Sequence, residues 1–146
     1  MKLVLLFLGS FMVCGIGLSQ PKTIVKTDKA PTPIGPYSQA VKANGFIFVA
    51  GQIGLEPTTR KLVEGGIEKE TVQVLENIKA ILTAAGSSLN SVVNTTIYLK
   101  DLSHFEVVNR IYATYFATEP PARATIQVAN LPGGASLQMV VVALEK

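Results

Sequence analysis

The chain has few of the side chains that do most enzymatic work. Among its 146 residues there is one cysteine, Cys14, and one histidine, His104. A lone cysteine excludes an intrachain disulfide and a thiolate metal cluster, and a lone histidine excludes paired-imidazole metal motifs. His104 falls in the first turn of an expected helix, where a solvated or capping role is simpler than catalysis. No Ser-His-Asp set is evident, and no glycine-rich phosphate loop opens a helix. Charge is also sparse, at 16% of residues, and from Ile111 to Leu144 only Glu119 and Arg123 carry any. The net charge is +3, and apart from Lys2 the basic residues are scattered from Lys22 to Lys146. Without a basic run interleaved with aromatics, it is weak evidence for nucleic acid.

What is present suits one domain with a real core: 48% of the residues are hydrophobic. The first nineteen residues stand apart. Lys2 is a short basic region, Leu3 to Gly17 is apolar but short for a membrane span, and Gly17 and Ser19 suit cleavage before Gln20. This predicts a secretory signal peptide over 1–19, a single domain over 20–146, and a secreted protein with no membrane span in its mature chain. An uncleaved anchor, or a misassigned start on a cytoplasmic or mitochondrial protein, is the alternative. Cleavage would remove Lys2 and Cys14, leaving 12 basic against 10 acidic residues and a charge of +2.

The mature chain opens with Pro21, Pro31, Pro33 and Pro36, with Thr23-Ile24-Val25 as a short edge strand. Ser38 to Ala43 and Phe46 to Ala50 flank Asn44-Gly45, a hairpin turn whose residues accept positive φ. Gly51-Gln52-Ile53-Gly54 then leaves the sheet. Ile67 to Ala85 is an amphipathic helix carrying Ile67, Thr71, Val74, Leu75, Ile78, Ile81 and Leu82 on one stripe, with Gly86 past its end. Val92 to Leu99 is a strand. Ser103 and Glu106 have capping-box spacing, so a second helix begins there and ends at Glu119-Pro120. Asn109 shares its face with Phe105, Tyr112 and Phe116, and a half-buried amide there must bond to backbone or to a ligand. Leu131 to Gly134 is a turn, and Leu137 to Leu144 is the last strand. Phe46–Ala50 and Met139–Ala143 are apolar on both faces. Two helices cover only one face of a sheet, so another copy of the chain is the economical cover for the second.

Pro120 to Val128 is the stretch most suggestive of a site. After the prolines the residues alternate, with Arg123, Thr125 and Gln127 on one side and Ala124, Ile126 and Val128 on the other. An arginine on so uncharged a strand needs a partner if it is buried. That partner is a distant carboxylate, water at a strand end, or the carboxylate or phosphate of a ligand. A catalyst built from arginine, tyrosine, asparagine, backbone amides and water can manage only an easy reaction. Hydrolysis of a reactive imine fits; cleavage of an amide does not.

Ile34-Gly35-Pro36-Tyr37-Ser38-Gln39-Ala40, Gly51-Gln52-Ile53-Gly54, Leu99-Lys100-Asp101-Leu102, Val108-Asn109 and Pro121-Ala122-Arg123-Ala124 together resemble the RidA family (YjgF, the reactive intermediate deaminases). The resemblance covers the whole chain after the leader. It implies an α+β, chorismate-mutase-like fold with a mixed sheet, two helices on one face and a homotrimer formed through the other, with clefts between subunits. It implies hydrolysis of 2-iminobutanoate or 2-iminopropanoate to the 2-oxo acid and ammonia, without metal or organic cofactor. Arg123 would grip the substrate carboxylate, and Tyr37, Gly51, Asn109 and Thr125 would line the cleft. The sequence departs from the family where a water-activating glutamate is usual, since the matching residue is Gln138. An amide orients a water but cannot take its proton. A second reading is therefore a secreted, non-catalytic trimer that binds small carboxylates or a protein partner.

Overall fold

The computed structural model describes residues 21–146; the expected leader, with Cys14 and its cleavage point, lies outside the described residues. Strands β1 (Thr23–Val25), β2 (Ala40–Ala43) and β3 (Phe46–Gln52) are followed by helix α1 (Gly66–Ala84) and strand β4 (Val92–Leu99). Helix α2 (Phe105–Tyr115) and strands β5 (Ala122–Gln127) and β6 (Leu137–Leu144) complete the chain. The six strands form one sheet in the order β1-β2-β3-β6-β4-β5. Only β4 and β5 run parallel, as the intervening α2 requires. The β2–β3 hairpin turns at Asn44 and Gly45, with φ of 51° and 79°.

Both helices lie on one face of the sheet. Val74, Leu75, Ile78, Ile81 and Leu82 of α1 are fully buried against Ile47, Val49, Ile97, Leu99, Met139 and Val141. Gly65 and Gly66, at φ 109° and 71°, turn the chain into α1, and Gly86, at 79°, turns it out. The opposite face carries the alternate residues. Phe46, Phe48, Ile126 and Leu144 remain 39–48% exposed there, beside the half-buried Val140 and Val142. An apolar surface of this extent is unusual on a monomer.

Three expectations are corrected. The second helical segment is capped by Asp101 rather than Ser103: the Asp101 carboxylate accepts from the Ser103 amide at 2.8 Å, and a 3-10 turn over Leu102–His104 precedes α2. The extended Asp101 reaches the free amide first, and this backbone bond, followed by one to the Ser103 side chain, holds its carboxyl below the ordinary value. Helix α2 also stops at Tyr115, short of Glu119-Pro120, because Phe116 leaves helical geometry to stack on Tyr112 with ring centroids 4.4 Å apart. Finally, β3 does not end at Ala50. It continues through Gly51 and Gln52 across a register shift against β6, and that bulge shapes the first part of the site.

Candidate functional site

The bulge opens a cavity of about 360 Å³ lined by Tyr37, Gly51 and Gln138 together with Pro31, Ile34, Ile53, Leu55 and Pro132. Gly51 is required by close approach. A Cβ there would fall on the Gln138 amide nitrogen and lie 2.7 Å from its Cδ, so the side chain of Gln138 rests directly on the glycine backbone. The wall that includes Pro31 is tied down by Gln39, which is buried. Its amide donates to the carbonyls of Thr27, Ala30 and Pro31 at 2.9–3.1 Å, and its oxygen accepts from the Thr27 amide at 2.8 Å. Gln52, also buried, donates back to the Ala50 carbonyl at 2.9 Å. Tyr37 stands half out of the cavity, its hydroxyl 3.4 Å from the Ile34 amide.

Arg123 lies elsewhere. Its neighbour across the parallel pair is Thr95, whose hydroxyl accepts from the Tyr112 hydroxyl of α2 at 3.0 Å. Arg123 therefore projects to the helix face of the sheet. It donates from Nη2 to Asn109 Oδ1 at 2.8 Å, and its guanidinium lies 4.8 Å from the Tyr112 ring centroid and 5.9 Å from that of Phe105. Arg123, Asn109 and Tyr112 line, with Pro120, Pro121, Ala113 and Phe116, a second cavity of about 380 Å³. Desolvation raises the Tyr112 phenol above its ordinary value, against smaller lowering effects of the Thr95 hydrogen bond and the Arg123 charge. The phenol is thus neutral beneath the cation. Thr125, half-buried, follows Arg123 along the same face.

Arg123 is exposed, so the buried-ion argument for a structural partner does not apply. The ion pairs among the described residues, Lys42–Glu145, Lys79–Glu76 and Arg110–Glu68, do not include it. An amide and two aromatic rings orient the guanidinium without neutralising it.

The sequence-derived residues thus form two groups: Tyr37, Gly51 and Gln138 in one, Asn109 and Arg123, with Thr125 alongside, in the other. Gln138 pairs with Tyr98, which pairs with Ile126. Two strand spacings therefore separate Gln138 from β5, roughly 10 Å, and Arg123 lies a further three residues along, on the opposite face. One small ligand in one protomer cannot touch both. Of the residues lining these two cavities Arg123 alone is ionised at neutral pH, and among the described residues no cluster of His, Cys, Asp or Glu could hold a metal. Sequence reasoning missed Gln39 and Gln52 as cavity residues. Their only signal was position, beside Tyr37 and Gly51.

A family model described as Endoribonuclease L-PSP matches residues 27–145. A RutC family protein of Pyrococcus abyssi is 50% identical over 125 residues, covering 86% of this chain and 98% of that one. The 2-iminobutanoate/2-iminopropanoate deaminase of Mus musculus is 46% identical over 124 residues, covering 85% and 92%. Among solved structures, RidA from an Antarctic Psychrobacter superposes with a TM-score of 0.81 at 43% identity, covering 84% of this chain and 98% of that one.

Proposed function

We propose that this chain, which belongs to the RidA family (Endoribonuclease L-PSP by the description of its family model), hydrolyses 2-imino acids to 2-oxo acids and ammonia. The observation that carries this reading is Arg123, a guanidinium oriented by Asn109 and Tyr112 with no carboxylate of its own. Its free edge suits the paired oxygens of a substrate carboxylate. The cleft is completed between copies of a homotrimer. The apolar sheet face motivates the association, and the separation of the two residue groups makes a second copy necessary for one ligand to meet both.

The chemistry asks little of the protein. A protonated imine is already electrophilic; water adds to its carbon and passes one proton to nitrogen. The carbinolamine collapses with loss of ammonia, and the remaining water proton goes to that ammonia, giving the 2-oxo acid and ammonium. Arg123 holds the carboxylate, the apolar cavity receives the substrate's uncharged body, and Gln138 against Gly51 orients the water. An amide takes no proton, so turnover proceeds without general-base help, worth roughly two to four powers of ten. Phosphodiester cleavage finds no support, because neither cavity supplies an acid–base pair. The test is a coupled assay in which an amino-acid oxidase generates the imine and its decay is followed with and without the protein. Decay at the uncatalysed rate would sink the proposal. It would favour the second reading, a non-catalytic trimer that binds carboxylates, for which Gln138 is the motivating residue.

We also infer that the chain is exported. Expression in a secretory cell should give a mature N-terminus at or near Gln20, and an intact Met1 in the soluble protein refutes this. The Asn94-Thr95-Thr96 sequon lies within β4, where strand pairing disfavours glycosylation.

A further inference from the structure

Two polar side chains are buried in α1 where the amphipathic pattern calls for none: Glu70, 6% exposed, and Asn77, fully buried. A carboxylate so enclosed is costly unless its oxygens are used. Both are. Oε2 accepts from the Ser136 amide at 2.8 Å and Oε1 from the Ser136 hydroxyl at 2.7 Å. Ser136 is two residues before Gln138 and ends the turn that brings Pro132 to the cavity. The facing wall is tied to the same helix. Asn77 donates to the carbonyls of Ile53 and Leu55 at 3.3 and 2.9 Å, while its own oxygen accepts from Gln73 at 2.9 Å. Gly54 presses on the backbone of Glu70 so closely that a Cβ there would stand 2.9 Å from the Glu70 Cα.

We propose that Glu70 is a positioning residue for the cavity, seating Gln138 on Gly51 through its double hydrogen bond to Ser136, while Asn77 fixes the opposite wall. Glu70 does not line the cavity and cannot meet a reacting atom, so it acts only through the chain segment it holds. Arg123 belongs to the other group of residues and is independent of this clamp. The catalytic consequence rests on the imine-hydrolase reading; the mechanical one does not.

The experiment compares Glu70→Ala and Glu70→Gln with wild type by hydrogen exchange over 131–138, by imine turnover and by 2-oxobutanoate affinity. In Glu70→Ala, exchange at Ser136–Gln138 should quicken by about tenfold or more as the segment opens locally. The kcat should fall by about ten- to a hundredfold through misplacement of Gln138, while oxo-acid affinity stays within about twofold. Glu70→Gln should restore most of both, because its amide can accept from the Ser136 nitrogen and donate to its hydroxyl. If Glu70→Ala fails to fold, Ser136→Ala keeps the backbone bond, removes the other, and should move both readouts the same way by less. Unchanged exchange overturns the proposal, as does faster exchange with unchanged kcat, or a parallel loss of affinity that marks general loosening. If wild type shows no turnover, the functional reading fails on its own, and exchange together with the Gln138 side-chain amide resonance still decides the clamp.

Discussion

Around Gly51 the buried polar groups are amides, and the backbone occupies them: Gln39 holds three carbonyls and Gln52 a fourth. They shape a neutral, apolar recess and leave little to bind an ion. Around Arg123 the arrangement is reversed. The surface is open, the cation is exposed, and an asparagine and two rings aim it without cancelling its charge. One region is a mould for an uncharged body and the other a clamp for an anion. A 2-imino acid, the substrate proposed above, has both parts, so on that proposal neither region alone would hold it.

The comparison is broken most completely by removing the surface that would unite the two regions. Phe48 is half exposed at the centre of the open face, opposite Val142. Phe48→Asp should leave the protomer folded and dissociate the trimer, because a carboxylate in an apolar interface costs several kcal/mol. Sedimentation equilibrium checks assembly, and turnover should vanish with it. A well-folded wild-type monomer at micromolar concentration would refute the shared cleft outright.

The next test separates the regions by mutation. Arg123→Ala should weaken 2-oxobutanoate binding by about 10- to 100-fold, the worth of a charged hydrogen-bonded contact, with the trimer intact. Arg123→Lys should recover little, since an ammonium cannot reproduce a planar fork. Calorimetry decides both. If the two regions meet across copies, mixing Arg123→Ala and Gly51→Ala chains should regenerate about a quarter of the intact clefts on random assembly in a closed ring. Mixtures with no more activity than the separate variants would place the whole site within one chain.

Within the neutral recess, Gln138→Glu should raise imine turnover by about tenfold or more on the general-base scale, with little change in oxo-acid affinity. Fast wild-type turnover that this substitution leaves unchanged would mean water is activated by another group.

Much of this was legible before folding, for identifiable reasons. Asn44-Gly45 announces its turn, α1 lies within one residue of its expected bounds, and β4 and β6 match theirs. These features follow from local chemistry and period. What period cannot convey is which strands become neighbours. The alternation around Arg123 is legible, but not which side meets the helices: Arg123 lies level with the buried Thr95 on the helix face, so the apolar side, with Ile126 48% exposed, lies on the open face. The division of the site between two faces follows from that topology. Glu70 and Asn77 escaped notice because a polar residue in a helix normally signals the solvent side; only the tertiary contacts with Ser136, Ile53 and Leu55 explain their burial.

The smallest expected effect concerns the support beneath the cation. Tyr112 offers Arg123 its ring and spends its hydroxyl on Thr95, and these contributions can be removed separately. Tyr112→Phe keeps the ring, so 2-oxobutanoate affinity should stay within about twofold, while stability falls by about 1 kcal/mol for the lost buried hydrogen bond. Tyr112→Leu removes the ring as well and should weaken binding further, by about the 0.5–1 kcal/mol of an exposed cation–π contact. The stability difference between wild type and Tyr112→Phe should also depend on pH. Burial raises the phenol pKa in the folded chain, so wild-type stability declines as pH climbs past the ordinary value of 10.0, where the unfolded phenol ionises first. The phenylalanine variant lacks that decline, and the gap should narrow at alkaline pH. Denaturant unfolding at pH 8 and above pH 10 measures it; a gap that widens instead would mean that the folded state favours the phenolate, and Tyr112 could not be the neutral support assigned to it.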